Sequence, residues 1–328
     1  MSRYEQFDRT RIELWDWNRR GHDLVPEACW KLDAPATAFA HPDFAELLAA
    51  IRLARRNGRP VILMMGAHLI KLGLSRFVID LMERGLITQV ATNGAGIIHD
   101  FELSCGAGTS ENVPRWIQLG QFGLWQQTSH LNRIIQQAAR RGEGLGEAVG
   151  RAIEEDQQPR RDLSIAASGY RCGVPVTSHV SIGSDIIHAH PNCDGAALGA
   201  ASYTDFLIFA RAVEQLEQGV FLNVGTSVTG PEVYLKALAM ARNAARREVP
   251  PRSISNFVTA VFDLVELPAD FRVGPPDKSH PMYYFRPWKT ILVRTVADGG
   301  RSFYFCGDHQ QTVPSLWHGL TAVRSQAA

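Results

Sequence analysis

Two apolar runs early in the chain flank a segment with helical spacing. Residues 61–65 are continuously apolar and lead into Gly66-Ala67-His68, and a second run over residues 86–92 ends at Asn93-Gly94-Ala95-Gly96. Between the two runs, residues 74–84 carry apolar side chains at helical spacing. The pattern predicts a strand, a helix and a second strand, with small residues directly after each strand.

The same alternation continues along the rest of the chain. A helix is expected from Phe44 until Gly58 ends it, and another through Leu131 until Gly142 ends it. Strands that alternate with helices imply a mainly parallel sheet with helices on both faces, so the sequence predicts an α/β, Rossmann-like fold. Residues 1–42 are predicted to form a helical N-terminal extension and residues 43–328 a single domain. Further strands are expected near residues 174–178, 220–224, 254–262, 290–295 and 302–306, and further helices near residues 203–217, 232–246 and 311–324.

The small residues after the first two strands indicate a ligand site. In an open parallel sheet, ligands bind at the carboxyl edge, where loops and helix N-termini present free N–H groups. Gly94, Ala95 and Gly96 would let the backbone come close to a pyrophosphate or a ribose. Their spacing is not GxGxxG, so the ordinary dinucleotide motif is absent. The alternative is that these glycines only allow a helix to pack tightly on the sheet.

Composition restricts the class of partner. The 328 residues are 45% hydrophobic, and 34 basic and 33 acidic residues give a net charge of +1. This balance gives no electrostatic case for binding nucleic acid or an anionic membrane, so a small molecule is the expected partner. The first 20 residues lack the apolar core of a signal peptide, and no apolar run approaches the roughly 18 residues of a membrane span, so a cytoplasmic protein is expected. Five cysteines without a CxxC pair are expected to be reduced thiols.

Several segments resemble one enzyme family. Residues 64–102, MMGAHLIKLGLSRFVIDLMERGLITQVATNGAGIIHDFE, resemble the N-terminal nucleotide-binding segment of the deoxyhypusine synthases. Residues 173–176 and 181–185 (GVPV and SIGSD) resemble the segment of that family that contains Thr-Asp-Gly-Ser. Residues 221–225 (FLNVG) stand where the family has a glycine triplet, and residues 303–308 (FYFCGD) resemble its late strand ending in Ala-Asp-Ala.

The resemblance covers about residues 43–320 and implies a cofactor site. It implies NAD as the cofactor and a homotetramer with active sites shared between subunits. Backbone amides and short polar side chains would line the NAD pocket, and Asp308 would accept hydrogen bonds from a ribose or from the nicotinamide amide. The alternative for Asp308 is the N-cap of the following helix. The cofactor-binding residues implied are Gly66, Ala67, His68, Thr92, Asn93, Gly94, Ala95, Gly183, Ser184, Gly225 and Asp308.

The resemblance also implies a catalytic lysine. Residues 283–289 (YYFRPWK) align loosely with the Trp-Gly-Lys segment of the family, which places Lys289 at the position of the lysine that forms a covalent imine. A neutral lysine amine would attack an imine or aldehyde, hold the alkyl fragment and release it to an acceptor. Trp288 would stack on a cationic substrate. The alternative is an exposed lysine whose stem lies on an aromatic ring.

Other positions depart from the family. Ile98-His99 stands before Asp100 where the family has consecutive glutamates, residues 181–184 replace Thr-Asp-Gly-Ser, and the family's histidine after the glycine triplet falls near Thr229. These changes remove countercharges that a polyamine needs. The sequence therefore predicts a divergent member that acts on a small amine other than the usual pair of spermidine and protein lysine.

A histidine-rich segment, SHVSIGSDIIHAHPNCD, allows three interpretations. On an extended backbone His188 and His190 would point the same way and, with Asp185, offer two nitrogens and one oxygen to Zn or Fe. They could equally act as acid and base beside a substrate, or be interior histidines. The resemblance favours the acid and base role, since that family uses no metal.

Together these observations predict an NAD-dependent transferase that forms an imine on a small amine. The predicted catalytic residues are Lys289, His188 and His99. The predicted substrate-binding residues are Asp100, Asp185, His190 and Trp288, and no metal is expected. Two alternatives remain, a metal-dependent hydrolase built on His188, His190 and Asp185, and a non-catalytic NAD-binding protein.

Overall fold

Six parallel strands form one sheet in the computed structural model, which describes residues 2–322. The strand order is β3-β2-β1-β4-β5-β6, and each neighbouring pair is parallel. The chain fills one half of the sheet before crossing to the other half at β4, so the order reverses between β1 and β4. The strands are β1 (Val61–Met65), β2 (Gln89–Asn93), β3 (Val176–His179), β4 (Val220–Val224), β5 (Val258–Asp263) and β6 (Arg301–Cys306).

Helices cover both faces of the sheet, which confirms the predicted α/β, Rossmann-like fold. The longest, α9, begins earlier than the sequence predicts because the carboxylate of Asp194 accepts hydrogen bonds from the N–H groups of Ala196 and Ala197. The helices are α1 (Phe44–Arg56), α2 (His68–Lys71), α3 (Ser75–Glu83), α4 (Gly94–Ser104), α5 (Val113–Gln118), α6 (His130–Arg141), α7 (Leu145–Glu155), α8 (Ile165–Cys172), α9 (Gly195–Glu214), α10 (Thr229–Ala245), α11 (His309–Thr321) and a π-helix (Pro287–Arg294).

Alternate apolar residues of β1, β2, β4, β5 and β6 belong to two separate cores. Val61, Leu63 and Met65 lie in the first core, and Ile62 and Met64 lie in the second, because successive strand residues point to opposite faces. The first core includes side chains from α1, α3, α4, α6, α7, α8 and α11, and the second includes side chains from α9, α10 and the π-helix. Burial on both faces explains why the strands read as continuous apolar runs.

One predicted strand, residues 290–295, is wrong. Residues 290–294 are the C-terminal part of the π-helix, and Thr295 is its C-cap. A short buried apolar run has the same hydrophobic pattern in a strand and in a buried helix, so its sequence does not separate the two. The wide helical turn is stabilised by Thr259 and Thr295, whose hydroxyls both donate to the carbonyl of Ile291 at 3.1 Å.

The N-terminal extension is not α-helical. It contains three single-turn 3-10 helices, Arg9–Arg11, Trp17–Arg19 and Pro26–Ala28, joined by extended segments. At the other end of the chain, α11 stops at Thr321, and the last two residues of its predicted span, 323 and 324, lie outside the described residues. Within the described part of the chain, no helix combines the length and the apolar character needed to cross a bilayer. All five cysteines are free thiols.

A buried carboxylate holds the edge of the sheet to its flanking helices. Asp205 of α9 accepts hydrogen bonds from the backbone N–H groups of Ser178 (2.7 Å) and Gly146 (3.0 Å), and so joins β3 to the first turn of α7. The side chain is fully buried, and burial raises the pKa of Asp205 to about 7. The folded protein therefore keeps this carboxyl partly protonated near neutral pH.

Replacing Asp205 with asparagine is expected to flatten the pH dependence of stability. An unfolded aspartate titrates near its ordinary pKa of about 3.9, whereas the folded pKa of Asp205 is about 7. The stability contributed by the extra proton is complete below the unfolded pKa and is lost as the pH rises through the folded one. Urea unfolding at about pH 5 and about pH 8 should therefore give a smaller difference in the free energy of unfolding for Asp205→Asn than for the unchanged protein.

The control is Asp277→Asn. Hydrogen bonds from the backbone and side chain of Ser279 lower the pKa of the exposed Asp277, so its titration falls below this pH window. The control should therefore keep the full difference. An unchanged difference in Asp205→Asn would mean that Asp205 does not hold the proton.

Candidate functional site

The turns that follow β1 and β4 meet where the strand order reverses. The N–H of Gly66 donates to the carbonyl of Val224 at 3.0 Å. A Cβ on Gly66 would lie 2.2 Å from the oxygen of Gly225, which itself has a φ of 60°. Both positions therefore need glycine, one for the close backbone approach and the other for its left-handed backbone. The imidazole of His309 packs beside Gly225 at this point, since a Cβ there would lie 2.8 Å from its Nε2. Ligands of this fold class bind at such a reversal of strand order.

The N-terminus of α4 lies at the same edge, directly after β2. The side chain of Asn93 caps the helix by accepting from the N–H of Gly96 at 2.9 Å. The N–H groups of Gly94 and Ala95 belong to the first turn and have no partner within the helix. A Cβ on Gly96 would lie 2.0 Å from Oγ1 of Thr92. Gly96 is thus required by the packing of α4 on β2, as the alternative interpretation states, while half-exposed Ala95 faces the edge.

A cavity of about 210 Å³ opens beside this helix terminus. It brings together His99, Asp185, Ala95 and Ser184, all of which the sequence predicts as site residues. A larger groove of about 630 Å³ lies at the amino edge of the sheet, but its lining is largely apolar and contains none of the predicted residues. We therefore take the smaller cavity, called the His99 pocket below, as the candidate site. Its charged and titratable lining residues are Arg20, Lys71, His99, Glu102, Glu111 and Asp185.

A buried ion network forms one wall of the pocket. The guanidinium of Arg20 lies 2.8 Å from Oε2 of Glu102 and 3.5 Å from Oε1 of Glu111. Glu102 also accepts from the hydroxyls of Thr109 and Thr128, each at 2.6 Å. Burial alone would raise the pKa of Glu102, but Arg20 and these hydrogen bonds hold it below its ordinary value. Glu102 is therefore ionised and fully engaged by the protein.

Glu111 is engaged through only one of its oxygens. Oε1 accepts from the N–H of Gly123 at 3.1 Å and from the indole N–H of Trp125 at 2.9 Å. Oε2 is buried and has no hydrogen-bond partner. Burial raises the pKa of Glu111, while Trp125 and Arg20 act in the opposite direction. Glu111 thus lines the pocket with one of its two carboxyl oxygens lacking a protein partner.

The N-terminal extension supplies Arg20 and is fixed to the pocket wall. Leu24 and Thr109 exchange backbone hydrogen bonds of 3.1 and 2.8 Å. Trp17 packs with Trp116 and Trp125 in a small separate core. These contacts place a residue from the start of the chain inside a pocket otherwise built from residues 71–186.

His99 connects the pocket to this network. Its Nδ1 lies 2.7 Å from the hydroxyl oxygen of Thr109, which in turn contacts Glu102. Burial lowers the pKa of His99 to about 4, so the imidazole is neutral near pH 7. The neutral ring has one protonated and one unprotonated nitrogen.

Asp185 closes the pocket from the loop after β3. A Cβ on Gly94 would lie 2.0 Å from Oδ2 of Asp185, so this carboxylate sits against the first turn of α4. Burial raises the pKa of Asp185 to about 6. His188 supports the loop, because its Nδ1 accepts from the N–H groups of Gly183 (3.0 Å) and Asp185 (3.1 Å). His188 thus shapes the loop, while Asp185 lines the pocket.

The two histidines of the histidine-rich segment do not point the same way. His188 lies in the 3-10 helix Ile186–Ala189, where positions i and i+2 diverge, and the extended backbone assumed for that geometry is absent. His190 is fully buried, with Nε2 2.7 Å from the carbonyl oxygen of Gly123. Among residues 2–322, no group of three or more histidine, cysteine, aspartate or glutamate side chains is arranged to hold a metal ion. Residues 2–322 therefore provide no ligand set for the metal-dependent hydrolase that the sequence left as an alternative.

Lys289 and Trp288 do not line the His99 pocket. Both lie at the start of the π-helix, which packs in the second core, whereas α4 packs in the first. Nζ of Lys289 lies 3.9 Å from the ring centroid of Tyr283. Trp288 is 2% exposed, and its indole N–H donates to the carbonyl of Gly274 at 3.0 Å. Its predicted contact with substrate is not supported, since the ring is enclosed by core side chains.

Two predicted acidic residues act as helix caps. Asp100 is buried and accepts from the N–H groups of Ile165 (2.7 Å) and Ala166 (3.1 Å) at the start of α8. Its predicted contact with substrate is not supported, because these bonds hold it away from the edge. Asp308 accepts from the N–H of Gln310 at 2.8 Å, as its N-cap alternative predicts.

Sequence reasoning missed four residues of the pocket network. Glu102 carries the clearest signal, an acid among the apolar residues of α4. Thr109 and Glu111 lie in an irregular segment with no motif, and Arg20 is remote in sequence. Among the other predicted cofactor residues, His68 is exposed at the edge, Thr92 is buried with an unpartnered hydroxyl, and Gly183 is exposed with a φ of 96°.

Known proteins resemble this chain in structure. No protein-family model matches it, and no curated protein is significantly similar. Unliganded AgrE is 13% identical with a TM-score of 0.51, and the similarity covers 84% of this chain and 32% of that one. The ternary complex of AgrE with ornithine and NAD+ is 14% identical, with a TM-score of 0.46 and coverage of 86% and 34%. A conserved putative LOR/SDH protein from Methanococcus maripaludis S2 is 12% identical, with a TM-score of 0.47 and coverage of 88% and 72%.

The similarity to unliganded AgrE, the one with a TM-score above 0.5 among these three, supports the fold. The chain spans about a third of the length of the AgrE structures. At 13% identity, the likeness to unliganded AgrE shows a shared α/β architecture and carries no information on substrate. The comparisons with family models and curated proteins do not support membership of the deoxyhypusine synthases, so the Rossmann-like fold is what remains of that prediction.

Replacing Glu102 with glutamine is expected to lower the free energy of unfolding by about 3 kcal/mol, because it leaves the buried guanidinium of Arg20 without its main partner. The matched control is Glu27→Gln. Glu27 pairs with Arg160 at 3.2 Å but is 76% exposed, so its loss should cost less than about 1 kcal/mol. Urea unfolding of both variants measures the two effects. Equal losses would contradict a dominant role for the buried pair.

Proposed function

We propose that the chain is an NAD-dependent enzyme that acts on a small amine. NAD lies along the carboxyl edge of the sheet, and the amine occupies the His99 pocket. The observation that carries this proposal is the position of the pocket, which is lined by the incompletely satisfied carboxyl group of Glu111 and lies at the same carboxyl edge as the reversal of strand order, two strands away from it. Dinucleotide sites of doubly wound sheets lie at such reversal points.

The residues at the edge fit a dinucleotide. The turns after β1, β2 and β4 present Ala67, Ala95 and Gly225, which are small and half-exposed and so leave room for a ligand at the edge. Gly66 and Gly94 are buried against Gly225 and Asp185 and let these turns pack closely. The first N–H groups of α4 favour an anion such as a pyrophosphate. A pocket of about 210 Å³ is small for a whole dinucleotide, so the cofactor lies along the open edge and the pocket takes the substrate. Bound there, NAD supplies a hydride acceptor.

The pocket favours a cation over an anion. Oε2 of Glu111 is buried without a partner, and Asp185 adds a second carboxylate. The charge of Arg20 is neutralised by Glu102, so it does not offset them. A cationic amine would satisfy Glu111, whereas a carboxylate would meet groups of its own sign. AgrE, with which the chain shares its fold, has been crystallised with ornithine and NAD+, which agrees with this combination of ligands.

Asn93→Asp is expected to weaken NAD binding by about tenfold. The new carboxylate keeps the cap of α4 but places a negative charge beside the proposed pyrophosphate site. The control Asn243→Asp makes the same charge change at an exposed position near the C-terminal end of α10, at the opposite edge of the sheet, and should not alter affinity. Calorimetric titration with NAD+ measures both. Absence of NAD binding by the unchanged protein would refute the proposed function.

The reaction is tested by amine-dependent reduction of NAD+. The protein is incubated with NAD+ and a series of diamines, polyamines and basic amino acids, and reduced nicotinamide is followed by its absorbance. The proposal expects turnover with at least one amine and its loss in His99→Gln. Tight NAD binding without turnover for any amine would favour a non-catalytic NAD-binding protein.

Transfer of an alkyl fragment through Lys289 is the finer part of the proposal. The residue is 3% exposed, and the ring of Tyr283 shields its amine from bulk solvent. Borohydride added during turnover reduces an imine on Lys289 to a stable secondary amine, which peptide mass spectrometry detects. Lys289→Arg should abolish this adduct, and Lys236→Arg, at an exposed lysine of α10, should keep it. Turnover without any adduct would leave amine oxidation and exclude transfer through Lys289.

A further inference from the structure

A continuous hydrogen-bonded chain runs from the pocket into the ion network. His99 contacts Thr109, Thr109 contacts Glu102, and Glu102 pairs with Arg20. We infer that this chain fixes His99 in the tautomer protonated at Nδ1, so that Nε2 offers a lone pair in a pocket also lined by the carboxyl groups of Glu111 and Asp185, and that these acceptors select a cationic head with N–H donors. This inference deepens the proposed function, on which the identity of the ligand as a small amine rests.

The tautomer follows from counting protons. The hydroxyl of Thr109 has a single proton, and Glu102, held ionised by Arg20, can only accept. The proton of Thr109 therefore points to Oε2 of Glu102, at 2.6 Å. The oxygen of Thr109 is then left to accept from Nδ1 of His99, at 2.7 Å. Nδ1 must carry the proton of the neutral ring, and Nε2 keeps its lone pair.

The other polar atoms of the pocket complement this lone pair. Oε1 of Glu111 is held by Gly123 and Trp125, which fixes the carboxylate and leaves Oε2 buried and unpartnered. Asp185 supplies further acceptor oxygens, and its pKa of about 6 leaves it mainly ionised at neutral pH. The positive charges that face the pocket are Arg20, which is paired, and Lys71, which is exposed at its rim.

These groups define the ligand class. An alkylammonium or guanidinium head carries positive charge and several N–H donors, which match Nε2 and the carboxylate oxygens. A carboxylate or phosphate has only acceptors and would leave Nε2 and Oε2 unsatisfied. A neutral alcohol offers one donor and no charge. The fixed acceptors therefore select cationic heads, because any head without N–H donors would leave these buried acceptors unpaired.

The tautomer is tested by long-range proton–nitrogen NMR on protein labelled with nitrogen-15 in histidine. The chain has 11 histidines, and loss of one signal set in His99→Gln assigns the ring. The inference expects the pattern of a protonated Nδ1 and an unprotonated Nε2. Thr109→Ser keeps the hydroxyl and should keep this pattern, whereas Thr109→Val should lose it. A protonated Nε2 in the unchanged protein would overturn the inference.

Ligand selection is tested on the same samples by titration with methylammonium, methylguanidinium, acetate and methanol. Either or both cations should shift Nε2 of His99, and acetate and methanol should not. Glu111→Gln keeps an acceptor for Trp125 but turns amide N–H groups toward the ligand, so it should weaken cation binding by about tenfold. Glu27→Gln, at the exposed pair, should bind as the unchanged protein does. Equal binding of acetate, no cation binding, or unchanged affinity in Glu111→Gln would overturn the inference.

These measurements separate the two proposals. They use no NAD and no turnover, so a cation that shifts His99 in a protein unable to bind NAD would sustain the inference and refute the proposed function. Binding of NAD with turnover of an amine, together with a His99 ring protonated at Nε2, would support the proposed function and refute the inference. Thermal unfolding of Thr109→Val shows whether this variant still folds. If it does not fold, the inference is judged from the tautomer of His99 in the unchanged protein and from the titration of Glu111→Gln.

Discussion

The buried pair of Arg20 and Glu102 is the interaction on which the candidate site depends. Two charges removed from water are stable only if their remaining hydrogen-bonding capacity is satisfied. Glu102 meets that condition through Thr109 and Thr128, and Arg20 meets it partly through Glu111. One ion pair therefore fixes the wall of the pocket, the orientation of His99 and the position of the N-terminal extension.

The sheet supplies the second constraint. Its order reverses between β1 and β4, and parallel strands place all of their following loops at one edge. The pocket is not at the reversal itself but two strands away, between the loops that follow β2 and β3. This offset allows an elongated cofactor along the edge and a small substrate at one end of it. The separate locations that the proposed function gives to cofactor and substrate are thus compatible with the topology.

The sequence predicted the elements with strong local signals. Residues 61–65, 220–224 and 302–306 were predicted as strands because their apolar runs are bounded by turn residues, and Gly142 correctly ended α6. The prediction was wrong where tertiary contacts determine which secondary structure forms. Residues 290–295 form part of a helix because the hydroxyls of Thr259 and Thr295 satisfy the carbonyl of its wide turn, a contact without a periodic pattern.

The same distinction applies to the site. His99, Ala95 and Asp185 were predicted because they follow strands in sequence, and the topology brings them together. Arg20 and Glu111 escaped prediction because no local pattern links a residue in the N-terminal extension to an irregular segment about 90 residues later. Their partnership is set by the packing of Trp17 against Trp125, which only the folded chain reveals.

The separation of Lys289 from His99 limits the reactions that one chain can perform. α4 follows β2, whereas the π-helix packs against β5 and β6, and the intervening order β2-β1-β4-β5 spans three strand spacings, about 14 Å. The two groups also lie on opposite faces of the sheet. A small amine in the His99 pocket therefore cannot contact Lys289 at the same time within one chain. Oxidation of the amine needs only the pocket and the adjoining edge, while transfer through Lys289 needs the fragment to leave the pocket or a second subunit to bring its lysine. The predicted homotetramer with shared sites, which stays a prediction, is thus required only for the second of these reactions.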